Sequence, residues 1–202
     1  MRTATAPLPL PAPIAIDAPR YPMRTLRVED ATDRWPAWYA DREIRSLLNL
    51  AKPPQSKADM VAYIRSFDQR QDLLLGIFDK ANDLLVGILS LYIDWPQKMF
   101  TANMIIGESA YRSKGVTMEI TPPFRDYFFE TRGLEVMTAT ALANNKPIRA
   151  YLEKTGWTLE KVLKAHVRAH DSGAMLDLCC YSITRAAWRV WKAKHLPAPG
   201  SG

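Results

Sequence analysis

The segment Tyr111-Arg112-Ser113-Lys114-Gly115-Val116-Thr117 places two cations, three hydroxyl side chains and a glycine where an apolar strand gives way to a helix. Upstream, Asn103-Met104-Ile105-Ile106-Gly107 reads as a buried strand; downstream, Val116, Ile120, Phe124, Tyr127 and Phe128 recur at helical spacing. Such a turn offers free backbone N–H groups and the positive end of a helix dipole beside Arg112 and Lys114. That is the physical requirement for holding a phosphate or pyrophosphate. Gly115 has no Cβ, so the backbone there can approach an anion closely. Short Arg-x-x-Gly turns also occur as plain solvated helix starts, and this segment alone leaves both readings open.

A second segment adds to the first. Asn145-Lys146-Pro147-Ile148-Arg149-Ala150-Tyr151-Leu152-Glu153-Lys154-Thr155-Gly156-Trp157 reads as a short helix capped by Asn144 or Asn145, with Pro147 in its first turn and Gly156 as its stop. An apolar strand, Leu134 to Leu142, precedes it. Groups able to move a proton are Asp94, Glu108, His166 and Tyr92. Asp94 also makes sense as a turn residue beside Trp95-Pro96, and Glu108, a carboxylate next to an anion turn, as a structural residue. His166 titrates near neutrality, yet its place in a strand suits cross-strand packing; His170 and His195 read as solvated. Neither metal-ligand spacing nor a Gly-x-Ser-x-Gly elbow occurs. The only two cysteines, Cys179 and Cys180, are neighbours on a strand and point to opposite faces, so a disulfide between them would be strained. They read as reduced thiols with one buried, which points to a cytoplasmic protein.

The elements that must position these groups follow from periodicity. Met23–Glu29 reads as a strand, and 30–50 as helical in parts with an interruption near Trp35-Pro36. Ser56 caps a helix running to about Arg70, with Asp59 completing a capping box and Met60, Ile64 and Phe67 on the buried face. Strands at 73–78 and 84–93 flank Lys80-Ala81-Asn82-Asp83 in hairpin fashion, and the next strand covers 102–107. The helix after Gly115 should reach Arg132 and stop at Gly133, with a kink or break at Pro122-Pro123. Segments 158–168 and 174–183 pair about His170-Asp171-Ser172-Gly173, and a helix from Thr184 to about Lys194 closes the chain. Residues 1–22, rich in Pro and Ala, read as a flexible tail, 23–195 as one domain, and 196–202 as a second loose end.

The chain has 202 residues, 48% of them hydrophobic and 24% charged, as in an ordinary globular domain. No apolar run approaches the roughly 20 residues that span a bilayer, so no membrane partner is expected. The net charge of +6 suits an anionic ligand. Its cations are scattered without interleaved aromatics, so a nucleic-acid partner is not expected.

The two motifs together resemble the GNAT superfamily of acyl-CoA N-acyltransferases. Its pyrophosphate turn reads Arg/Gln-x-x-Gly-x-Gly/Ala, and a later Asn opens a helix ending in Glu-Lys-x-Gly-Phe; both occur here in order, with Trp157 for the Phe. Leu26-Arg27-Val28, 38–44, Leu85–Leu91 and the closing residues from Gly173 through Tyr181 and Arg185 to Trp188 extend the resemblance over about 24–188. The last of these is similar to the branch of ribosomal-protein N-terminal acetyltransferases.

The resemblance implies an α/β fold: a single domain with a twisted, mixed, mainly antiparallel sheet flanked by helices, and acetyl-CoA in a gap between two central strands. It implies cofactor contacts from Ile105, Ile106, Gly107, Arg112, Ser113, Lys114, Gly115, Val116, Thr117 and Asn145. Thr117 departs from the family's small residue. The family's usual acid, a Tyr seven residues after the Asn, is Leu152 here. Tyr151 lies about 100° round the helix and is expected to face elsewhere, leaving water or a displaced Tyr151 as the acid. Asp94 lies near where the acceptor pocket should open and is the candidate base. The implied activity is acetyl transfer to a primary amine, either a protein N-terminus or a small amine; an amino-sugar acceptor and a catalytically weak CoA-binding module are the alternatives. A homodimer is compatible with all of these.

Overall fold

A computed structural model describes residues 12–41, 44–45, 48–49, 54–170 and 172–196. The strands are β1 (Ala15–Ile16), β2 (Met23–Thr25), β3 (Asp72–Asp79), β4 (Leu84–Asp94), β5 (Met99–Ile106), β6 (Val136–Leu142), β7 (Thr158–Arg168) and β8 (Met175–Thr184). The helices are α1 (Arg34–Ala40), α2 (Lys57–Arg65), α3 (Val116–Asp126), α4 (Lys146–Lys154) and α5 (Arg185–His195). One 8-stranded sheet runs β1-β2-β3-β4-β5-β6-β8-β7. Every neighbouring pair is antiparallel except β5–β6, which α3 connects by a crossover.

Strands β3 and β4 are near-continuous apolar runs because both of their faces are covered. On one face Val116, Ile120, Phe124, Phe128, Leu152 and Trp188, from α3, α4 and α5, build a core with Leu75, Leu89 and Phe100. On the other, Trp35, Trp38, Met60 and Ile64, from α1 and α2, pack on Leu74 and Ile88. The α2 capping box forms as the sequence indicates: Ser56 Oγ accepts from Asp59 N at 3.1 Å, and Asp59 Oδ2 accepts from Ser56 N at 3.0 Å.

Three expectations are corrected. Residues 12–22 are not a loose tail: β1 pairs with β2, and Ile14, Ile16, Ala18 and Tyr21 are buried. Arg20 is also tied to the first turn of α3, its Nε donating to Glu119 Oε2 at 2.8 Å. Pro36 does not interrupt a helix; it lies in the first turn of α1, where its missing N–H is no loss. Pro122 and Pro123 do not end α3, which continues to Asp126 and then loosens into a π-helical turn over Tyr127–Thr131. Phe124, Phe128 and Phe129 all pack on Phe100, and that burial outweighs the two lost backbone bonds.

Candidate active site

The β5–β6 pair is hydrogen-bonded only at its start, with Met99, Phe100 and Thr101 opposite Val136, Met137 and Thr138. The hydroxyls of Thr101 and Thr138 meet at 2.7 Å, and beyond them the strands part. From Ala102 to Ile106, β5 keeps its β4 partner on one edge and has no strand on the other. The wedge so opened is the bottom of a cleft of about 1020 Å3, lined by β5, β6, α3 and α4. That lies at the large end of the roughly 300–1,000 Å3 typical of ligand sites.

The Tyr111–Thr117 turn forms the mouth of the cleft. Ser113 has φ 62° and Gly115 φ 79°, so two left-handed residues bracket Lys114 and fold the backbone into a concave turn. Alternation of this kind turns successive N–H groups inward, and the first N–H groups of α3 have no intrahelical acceptor. Ser113 and Gly115 are exposed, and both line the cleft with Val116 and Thr117. A Cβ on Gly115 would meet nothing within 4 Å, so the room above it is open to a ligand. On the opposite wall Asn145 caps α4, its Oδ1 accepting from Ile148 N at 3.3 Å; the amide NH2 takes no part in that bond. Ile105 and Ile106 line the cleft.

Of the other expected contact residues, Arg112 lines the cleft, and Gly107 and Lys114 are outside its lining. Gly107 is buried under Trp38, whose ring would lie 1.8 Å from an added Cβ, and it is absent from the cleft lining. Its lack of a side chain serves that packing. Arg112 turns back on the strand end: Nε donates to Ile106 O at 3.2 Å, Nη2 to Gly107 O at 2.9 Å and Nη1 to Asp41 Oδ2 at 2.6 Å. It ties the turn to the end of β5 and still lines the cleft. Lys114 is exposed outside the lining.

Asp94 lies at the wrong end of β4. It pairs with Met99, three residues along β5 from Ala102, where the cleft lining of that strand begins, which is roughly 10 Å at about 3.3 Å per residue. Its carboxylate accepts from Gln97 N and Gln97 Nε2 at 3.1 and 2.9 Å and closes the Asp94–Met99 turn. Glu108 holds Arg34 at 2.7 Å and accepts from Trp38 Nε1 at 3.0 Å. The Arg34 hydrogen bond, more than the burial opposing it, keeps this carboxyl below its ordinary range. Tyr92 and His166 are exposed and outside the lining.

Tyr151 does face the cleft, contrary to its expected helical phase, while Leu152 is packed in the core beside it. Thr117, Thr121 and Arg125 form an i, i+4, i+8 row on α3, and Tyr151 and Thr155 an i, i+4 row running off α4. The two rows meet. Thr121 Oγ1 donates to Thr117 O at 2.6 Å and lies 2.6 Å from the Tyr151 hydroxyl. Arg125 donates to Thr155 O at 2.7 Å and to Thr155 Oγ1 at 3.2 Å. Thr121 and Arg125 are not among the residues that the sequence singles out, although Thr117, Thr121 and Arg125 form a polar row at spacing four along α3.

Residues 20–158 match the acetyltransferase (GNAT) domain, and the chain belongs to this family of acetyl-CoA-dependent N-acyltransferases. None of the curated protein sequences compared with it matches. Its fold is that of a GCN5-related N-acetyltransferase from Brucella melitensis, with a TM-score of 0.75 at 18% identity over 92% of this chain and 85% of that one. Mycobacterium smegmatis RimJ in complex with CoA-disulfide superposes with a TM-score of 0.72 at 19% identity over 90% and 94%. The ribosomal-protein-S5-alanine acetyltransferase of Vibrio fischeri does so with 0.68 at 16% identity over 87% and 98%.

Proposed function

We propose that the chain transfers an acetyl group from acetyl-CoA directly to a primary amine, a protein N-terminus or a small amine, without an acyl-enzyme. The observation that carries this is the unpaired edge of β5 opening beneath an anion-binding turn. The turn at Ser113–Thr117 would hold the pyrophosphate, with Asn145 and the Ile105–Ile106 edge along the pantetheine. Backbone N–H groups on that edge would stabilise the charge developing on the thioester oxygen.

No carboxylate or histidine is among the described residues lining the cleft, so the amine gives up its proton to water. Its lone pair attacks the thioester carbon, the C–S bond breaks, and Tyr151 protonates the departing sulfur before regaining a proton from solvent. CoA's thiol has a pKa near that of cysteine, about 8.5, so the acid contributes at the low end of general-acid catalysis. An alkyl-amine acceptor is mostly ammonium at neutral pH, and turnover should rise with pH toward its pKa. Free thiols at Cys179 and Cys180 support a cytoplasmic setting.

The test is thiol release from acetyl-CoA across a panel of amines, with product mass confirming N-acetylation. Acetyl-CoA binding with no thiol release on any amine would leave a CoA-binding module instead.

A further inference from the structure

Residues 20 and 21 hold both ends of the stretch from Tyr111 to Glu119. At its start the Tyr21 ring meets the Tyr111 ring edge-on at 6.1 Å, and the Tyr111 hydroxyl donates to Asp79 Oδ2 at 2.6 Å. At its end the Arg20 backbone N–H donates to Glu119 Oε1 at 2.6 Å, and Arg20 Nε to Glu119 Oε2 at 2.8 Å. Arg20 is itself anchored, its carbonyl accepting from Lys80 N at 2.8 Å. The buried Ile14, Ile16, Ala18 and Tyr21 around it fix the course of this segment.

Glu119 is a carboxylate in the first turn of α3, its N–H bonded to Gly115 O at 3.0 Å and its side chain only 13% exposed. A carboxylate there draws on the same positive helix end that a bound anion would use. Little water surrounds it, so its charge is weakly screened. Unpaired, it would oppose a phosphate on the turn. Arg20 engages both of its oxygens, which neutralises the charge. Glu119 is also held off the cleft: Thr117, Met118 and Ile120 line it, and Glu119 does not. An exposed ion pair contributes little to stability, and the Arg20 side chain is 62% exposed. The consequence of the pair is for the charge beside the turn.

We propose that Arg20 is a positioning residue for the cofactor: it neutralises Glu119 and holds it away from the Tyr111–Thr117 turn, leaving the N-terminus of α3 to the pyrophosphate of acetyl-CoA. The segment that follows β1 is thereby part of the cofactor site. This rests on the reading of Ser113–Thr117 as the pyrophosphate turn.

The experiment compares the parent, Arg20→Met, Glu119→Gln and the double variant. Calorimetry gives Kd for acetyl-CoA and for S-acetyl-pantetheine, which carries the same thioester without phosphate. Arg20→Met should weaken acetyl-CoA binding about three- to tenfold, the scale of one charge near a helix N-terminus. The double variant should bind within about twofold of Glu119→Gln alone, because the two residues act as a pair. S-acetyl-pantetheine should bind all four equally. The Arg20→Met loss should shrink as salt rises from about 0.1 M to 1 M, where the screening length falls from about 10 Å to 3 Å. A loss that Glu119→Gln does not relieve, or that S-acetyl-pantetheine shares, would make Arg20 a packing residue and overturn the proposal. So would no loss in Arg20→Met while Gly115→Val weakens acetyl-CoA binding. If Gly115→Val leaves that affinity unchanged, the pyrophosphate reading itself fails, and this role for Arg20 with it.

Discussion

The two halves of the β5–β6 pair differ in what their backbone does. Over Met99–Thr101 the ladder is closed, ending in the Thr101–Thr138 hydroxyl contact. From Ala102 onward one edge of β5 is left open, and the Tyr111–Thr117 turn, Asn145 and Tyr151 gather around that half. Asp94, a plausible base from sequence, stands on the closed half and closes a turn. The same strand is thus closed scaffold at one end and, on the proposed reading, cofactor-binding backbone at the other. Side-chain identity does not mark the difference, because Met104, Ile105 and Ile106 are as apolar as any core strand.

The largest expected effect is at the mouth of the open half. Gly115→Val must hold a β-branched residue at φ 79° and would fill space that is otherwise empty. It should weaken acetyl-CoA binding by about 2–3 kcal/mol, roughly 30–150-fold. Unchanged affinity in a folded variant, read by calorimetry, would remove the phosphate turn from the account.

Gly107→Ala sharpens the boundary between site and support. Its Cβ would strike the Trp38 ring, and overpacking of this kind costs about 1–3 kcal/mol of stability. Tm should fall by about 2–4 °C per kcal/mol in a chain of this size. Acetyl-CoA affinity of the folded fraction should stay within about threefold, a change of roughly 0.6 kcal/mol; a binding loss without a Tm loss would put Gly107 back in the site.

Glu108→Gln probes the same support through pH. A carboxyl whose folded pKa is depressed stabilises the fold above its unfolded value of 4.5 and loses that contribution as pH falls through the lower folded value. The variant should therefore melt below the parent at pH 7, and the gap should close in acid beneath that folded pKa. A gap independent of pH would assign the loss to packing on Trp38 alone.

Asp94→Asn, on the closed half, should have the smallest effect, with kcat within about twofold of the parent, or roughly 0.4 kcal/mol. A loss of tenfold or more would bring Asp94 back as a proton acceptor and undo the division between the halves.

How much of this was legible follows from what a sequence reports locally. The α2 capping box, a cap at Asn144 or Asn145 and the apolar runs of β3 and β4 are encoded within a few residues and are legible in the sequence; the left-handed backbone of Gly115 is seen only in the structure. β1 was hidden because two residues in a Pro-rich stretch carry no periodicity; Met23–Thr25 and the neighbouring core are what order it. A kink or break at Pro122-Pro123 is what local geometry indicates, yet the helix runs on to Asp126, with Phe124, Phe128 and Phe129 packed on the distant Phe100. Gly107 and Arg112 occur in the right motif for reasons that the motif does not state, one beneath Trp38 and the other bound to Asp41. The Thr121–Tyr151 and Arg125–Thr155 contacts depend on which helix faces which, and neither helix reveals that alone.

The central claim is that ligand contact is confined to the open half of β5. Hydrogen–deuterium exchange with and without acetyl-CoA tests it directly, since peptides can be followed along one strand. The account predicts added protection for amides at 103–106 and 113–118 and no change at 99–101. Equal protection along all of β5, or none at 103–106, would contradict it.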